Sequence, residues 1–202
     1  MNQHTNKEKA LEALRLQMEP CHQCGLRDQA HGVVFGEGDP QADIVLIGEG
    51  PGREEDRLLR PFVGAAGQLL DKMLAAIEMD RFHGIYILNV VKCRPPQNRV
   101  PTPAERKACW PHLAAQLRIL SPQVVVLLGT TAVQTLLGIS RLSEAWGRWH
   151  ERGGVWFRAT YHPAALLRNP HWKEGAWQDL QEVQAKILAL RQKAGEVSEI
   201  GK

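Results

Sequence analysis

No apolar run in this chain approaches the length that a helix needs to cross a bilayer, which excludes a helical membrane protein. The first thirty residues carry Lys7, Glu8, Lys9, Glu12 and Arg15 in a helical pattern and do not resemble a signal segment. Linkers, repeats and low-complexity tracts are missing, so one domain over residues 1–202 is expected, built on one substantial core. Neither sign of charge dominates: 25 Lys and Arg against 22 Asp and Glu leave a formal +3, weak support at most for a polyanionic partner. No GK[ST] and no GxGxxG follow the glycine-rich turn at 48–52, which excludes a P-loop and a dinucleotide fingerprint. Cysteines number four, Cys21, Cys24, Cys93 and Cys109. The chain is expected to be a cytoplasmic monomer, and there the redox poise disfavours a disulfide framework, so a metal or redox role leads.

What is present is a repeated strand–helix pattern. "KEKALEALRLQM" spaces Leu11, Leu14 and Met18 as a short amphipathic helix. "ADIVLIGEGPG", "GIYILNVV", "PQVVVLLG" and "VWFRATYHP" read as four buried strands. Helices are expected after each, at "VGAAGQLLDKMLAAI", from Thr102, at "TTAVQTLLG", and from "AALLRNP" into a last helix near 173–192. "TPAE" offers a capping box with Pro at the first helical position, and Pro111 predicts a kink or a late start. Strands without alternation, separated by helices, imply an α/β fold: a four-stranded parallel sheet between helical layers. Ligands of such sheets bind beyond the carboxyl ends of the strands, so "GEGPGREED", "NVVKCRPPQNR", "LGTT" and "YHPAALLRNP" should converge on one edge.

Cys21 and Cys24 form a CxxC that follows no strand of a redox βαβ unit; Cys93 and Cys109 lie far downstream with fifteen residues between them. Four thiolates from separate segments suit a tetrahedral zinc or an iron–sulfur cluster, and spacing does not choose between them. In the alternative reading Cys93 and Cys109 are small buried apolar residues and only the CxxC matters.

In the loops, Glu49 stands at a strand end, while Glu54 reads as part of a solvated acidic helix start. Phe62, in "PFVG", is either a core ring or a stacking platform for a planar ligand. Asn89 ends a strand, where its amide is either a turn former or the complement of a planar edge showing a carbonyl oxygen beside an N–H, as uracil does. His162 closes another strand and is placed to donate to a developing anion.

Taken in order, "CHQC", "GEGPGREED", "PFVGAAG", "NVVKCRPPQNRVPTPAE", the position of Cys109 and "HPAALLRNP" resemble the uracil-DNA glycosylase superfamily, most closely its family-four iron–sulfur members. The resemblance is nearly full-length. It implies a three-layer α/β/α sandwich and a 4Fe-4S cluster on Cys21, Cys24, Cys93 and Cys109. It places Glu49, Gly50 and Glu55 in the pocket, with Glu49 or Glu55 orienting water. Phe62 would stack on a flipped base, Asn89 would read its edge, His162 would support the leaving pyrimidine, and Asn98 would lie near the sugar–phosphate or the pocket mouth. Arg94, Arg99 and Arg168 would hold phosphates, and Leu166 or Leu167 would be the wedge that fills the vacated stack. The implied partner is uracil-containing DNA, single- or double-stranded. A non-catalytic uracil-DNA sensor is the alternative. The sequence departs from the family at Gly50, where Ala is usual, and at Ala65, where Arg is common.

Overall fold

The computed structural model describes residues 2–200, with side chains described for 6–193. In chain order the described residues form α1 (Asn2–Met18), β1 (Glu37–Gly38), β2 (Ile44–Gly48), α2 (Arg53–Leu58), α3 (Ala65–Ala75), β3 (Ile85–Asn89) and α4 (Pro103–Leu120). There follow β4 (Val124–Leu128), α5 (Thr130–Leu137), α6 (Leu142–Ala145), β5 (Trp149–Arg152), β6 (Val155–Thr160), α7 (Pro163–Arg168) and α8 (Lys173–Ile200).

The sheet runs β1-β3-β2-β4-β6-β5. Its centre is the expected parallel set, β3-β2-β4-β6, and every residue of β2, β3 and β4 is buried. Two antiparallel edge strands bring the total to six, which corrects the expected four. β1 has two residues, too few for any periodic signal. β5 and β6 form a hairpin around Gly153 and Gly154, whose φ values of 59° and 81° are those a two-residue primed turn requires.

Side chains alternate between the two faces, giving two core clusters. Val45, Ile47, Leu88, Val125 and Leu127 pack with Leu11 and Met18 of α1, Leu113 and Leu120 of α4, and Val133 and Leu137 of α5. Ile44, Leu46, Ile87, Val124 and Val126 pack with Leu70 and Leu74 of α3 and with Val183 and Ile187 of α8. The result is the three-layer α/β/α arrangement.

α4 begins where the capping box places it. Glu105 N–H donates to Thr102 Oγ1 at 3.2 Å, and Thr102 N–H donates to Glu105 Oε2 at 2.7 Å. Of the kink or late start that Pro111 predicts, the late start does not occur: the helix begins at Pro103, directly after the expected cap, and holds Pro111 inside it. Pro111 therefore has no N–H to offer the Lys107 carbonyl one turn earlier.

Candidate active site

Because β2, β3, β4 and β6 are parallel, their carboxyl ends meet at one edge, as expected. Gly48 is paired with Asn89, and Leu128 with Thr160, so the last rung of the sheet is level across all four strands. Two polar groups of that rung, Asn89 Oδ1 and Thr160 Oγ1, are buried and have no hydrogen-bond partner among the described residues. Such orphans are rare and costly, and they point to something the protein binds.

Gly48 has to be glycine at that rung. A Cβ there would lie 2.5 Å from Phe62 Cζ and 2.6 Å from Asn89 Oδ1, so ring and amide sit together over the bare backbone. Phe62 is 5 % exposed and its ring centroid is 5.4 Å from that of His162, with the planes 30° apart. Gly129, at φ 90°, lets the end of β4 approach the same histidine, since its Cβ position is 3.1 Å from His162 Cβ. Phe62, Asn89 and His162, distant in the chain, thus share one place.

Phe62 is held against strain. Its φ of 52° is in the left-handed region, unfavourable for an aromatic residue. Two groups pin the loop on either side. The buried Arg81 guanidinium donates to Pro61 O at 3.1 Å and to Phe62 O at 2.7 Å, and it also pairs with Asp71. Glu55 Oε1 accepts from the N–H groups of Val63 and Gly64 at 2.9 and 2.8 Å. Gly67 closes the turn, because a Cβ there would fall 1.8 Å from Phe62 O. Nothing in the sequence around Arg81 signals this role.

His162 caps α7. Its Nδ1 accepts from Ala164 N–H at 3.2 Å, which leaves the ring proton on Nε2. Burial, reinforced by the positive charge of Arg168 and opposed by Glu55, pushes its pKa down to about 4, so the ring is neutral at pH 7. Glu49 follows β2 directly, and its Oε2 accepts a short hydrogen bond from Thr131 Oγ1 in the first turn of α5. Its main-chain carbonyl accepts from Val91 N–H at 3.1 Å. Gly50 packs closely, since its Cβ position lies 2.7 Å from Val91 Cγ2. Glu54 is exposed enough to pair with Arg57 across one turn of α2, the solvated role expected of it.

Towards solvent, Leu167 is 46 % exposed while Leu166 is 0 % exposed. Leu166 is therefore packing, not wedge. Arg168 is exposed beside Leu167 at the end of α7. Arg94 Nε donates to Asn98 Oδ1 at 2.7 Å, which joins two of the expected residues. Arg99 turns the other way and forms a two-pronged pair with Glu105 at 2.7 and 2.8 Å, so it is not free for a phosphate.

The four cysteines line one cavity with Met18, Leu26, Lys92 and His112. All four are free thiols. Burial, with the neighbouring thiols, pushes the pKa of Cys93 up to about 12, and burial also raises that of Cys109. Four clustered thiolates need a cation to hold them ionised. Cys21 Sγ lies 3.2 Å from His112 Nε2. Lys92 is 2 % exposed with no partner for Nζ, and burial lowers its pKa to about 8. Among the described residues no three His, Cys, Asp or Glu side chains close on a single point. From the sequence Lys92 reads, with Arg94 and Arg99, as a loop cation offered to phosphates, and its burial beside the cysteines corrects that; no sequence pattern marks His112.

The family model described as Uracil DNA glycosylase superfamily matches residues 35–181, a range that contains every residue of the carboxyl edge discussed above. Cys93 and Cys109 lie inside it, and Cys21 and Cys24 before it. A type-4 uracil-DNA glycosylase of Thermotoga maritima is 43 % identical over 166 residues, which covers 81 % of this chain and 86 % of that protein. One of Archaeoglobus fulgidus is 40 % identical over 184 residues, with 87 % and 92 % covered. A type-5 uracil-DNA glycosylase of Thermus thermophilus is 36 % identical over 118 residues, about half of each chain. With an edge built as its sequence motifs require and relatives this similar over most of its length, the chain belongs to the uracil-DNA glycosylase superfamily.

Proposed function

We propose that this protein is a DNA-repair uracil-DNA glycosylase, which flips uracil out of DNA and hydrolyses its N-glycosidic bond to leave free uracil and an abasic site. The observation that carries this reading is the orphaned amide of Asn89 beside the Phe62 ring and the Nε2–H of His162. A pyrimidine lying on Phe62 presents a carbonyl oxygen and an N–H to Asn89, which satisfies the amide that the free protein leaves unpaired.

The glycosidic bond is out of reach within a duplex, so the nucleotide is unstacked first. Leu167 is the wedge that fills the gap, and Arg94, Arg168 and Asn98 face the sugar–phosphate backbone. Bond cleavage leaves a cationic sugar and a uracil anion. Neutral His162 donates from Nε2 to the uracil carbonyl as charge develops there, an interaction stronger in the transition state than before it. Glu49, oriented by the Thr131 hydroxyl, positions the attacking water and offsets the sugar's positive charge. Glu55 supports the Phe62 loop rather than the water, because its Oε1 is engaged by two backbone N–H groups.

Cys21, Cys24, Cys93 and Cys109 would hold a 4Fe-4S cluster. When bound it supplies a tie between the segment after α1, the loop after β3 and α4, and it has no part in the hydrolysis. The deciding experiment is incubation of the purified protein with a labelled oligonucleotide carrying one uracil, followed by alkali. Cleavage at the uracil supports the reading. Retention on uracil-DNA without cleavage would favour a damage sensor instead.

A further inference from the structure

A groove of about 350 Å³ runs between α4 and α5, lined by Pro103, Arg106, Lys107, Trp110, Gln134 and Thr135. Its position follows from topology. α4 enters the fold from the loop after β3 and α5 leaves β4, so both helices begin at the carboxyl edge; the groove runs along the first two turns of α4, to Trp110, and meets the second turn of α5. Thr135 is one turn beyond Thr131, the residue that orients Glu49. Pro103, Arg106, Lys107 and Trp110 fall at i, i+3, i+4 and i+7, a single stripe along α4.

The chemistry of that stripe is one-sided. Two cations line the groove and no carboxylate does. Glu105, the acid of the first turn, is engaged by Arg99 and by the Thr102 cap. Arg106 donates to the neutral Gln134 Oε1 at 2.8 Å, so its charge is not cancelled. Trp110 is 41 % exposed on an otherwise polar surface. Cations alone would suit any anion; cations around an exposed indole suit a chain that alternates phosphates with planar bases.

We infer that the α4–α5 groove binds the strand of DNA flanking the target nucleotide, with Lys107 and Arg106 on phosphates and Trp110 stacked on a base. The identity of the polyanion rests on the glycosylase reading; the charge and the exposed ring do not. The groove thereby extends DNA contact from the carboxyl edge along the helical layer opposite Phe62.

The test compares the wild-type protein with the Lys107→Ala/Trp110→Ala double variant and with Trp110→Phe. Binding to a labelled, uracil-free single-stranded oligonucleotide is followed by anisotropy over a range of salt. The double variant should bind about 10- to 100-fold more weakly, as expected for one lost stacking contact and one lost phosphate contact. Its log–log salt slope should be shallower by about 0.7. Trp110→Phe, which keeps a ring, should recover most of the affinity. Both side chains are exposed, so melting midpoints should not move, and uracil release at saturating DNA should match wild type. Unchanged affinity and slope would overturn the assignment and leave the groove to a ligand of another class, such as an acidic peptide. A wild-type protein that grips the strand through Trp110 yet leaves uracil in place would sink the glycosylase reading while this one stands.

Discussion

Burial sets the protonation state of His162 before any substrate arrives. With its pKa near 4, the ring stays neutral across the physiological range, and the hydrogen bond from Ala164 N–H fixes which nitrogen keeps the proton. The single-turnover rate should therefore show no inflection near the ordinary histidine value of 6.5. An inflection there that His162→Ala abolishes would contradict the assignment. His162→Ala should itself lower the rate at saturating DNA by about 10²-fold, the usual loss for an anion-stabilising donor. The same shift acts on stability. Its folded pKa is lowered, so the unfolded chain takes up the proton first, and stability falls as pH drops from about 6.5 towards 4. His162→Ala should flatten that part of the stability curve in acid titration. Asn89 makes the complementary case: its Oδ1 has no partner in the free protein, so Asn89→Ala should change stability by no more than about 1 kcal/mol. Discrimination of uracil from cytosine, in contrast, should fall by at least about tenfold, because the edge that the site was built to bond is no longer read. A variant as selective as the parent would remove Asn89 from this role.

At the scale of elements, the Phe62 loop and α7 carry separable duties. Arg81 holds the Pro61 and Phe62 carbonyls at the residue whose backbone is strained. Arg81→Met should destabilise the protein by about 1–3 kcal/mol by orphaning those carbonyls. It should also weaken inhibition by free uracil, a readout that a merely structural role would not move. Leu167→Ala on α7 should slow excision from duplex DNA by about tenfold while sparing single strands, which need no unstacking wedge. Equal losses on both substrates would argue against a wedge. The contrast between Leu166 and Leu167 also shows what the sequence could carry. The central strands, the capping box of α4 and the convergence of four loops were all legible, because each is written in local periodicity or turn chemistry. Which of two adjacent leucines is buried depends on the rotation of a six-residue helix, which no pattern specifies. Arg81, Thr131 and the pairing of Arg99 with Glu105 are contacts made across long stretches of chain or by ordinary surface residues. β1, with two residues, was decided by tertiary pairing and left no pattern to read.

At the scale of the whole molecule, the four thiols join parts of the chain that share little else. Cys21 and Cys24 follow α1, Cys93 opens the basic loop, and Cys109 sits within α4. Cys93 and Cys109 border the same buried cluster as Val45, Ile47, Leu88, Val125 and Leu127, whose other members on the central strands are apolar. The basic loop from Arg94 to Pro101 follows Cys93 directly and carries one short 3₁₀ turn, Pro96–Asn98, within which Gln97 and Asn98 both have positive φ; Arg99 ties its far end to Glu105 of α4. If the thiols hold the proposed cluster, its removal by chelation under oxidising conditions should leave the far-ultraviolet dichroism of the sheet and helices largely intact. The melting midpoint should fall by several degrees, about 2–4 °C for each kcal/mol lost in a protein of this size. DNA affinity should fall with it, because Arg94 and Asn98 lose their fixed positions, whereas binding of free uracil at Phe62 and Asn89, on the opposite face of the sheet, should persist. The visible absorbance of the isolated protein and its loss on chelation report the group directly. If free-uracil binding collapsed together with DNA affinity, the thiol site would be supporting the whole carboxyl edge, and its confinement to the loop would be wrong.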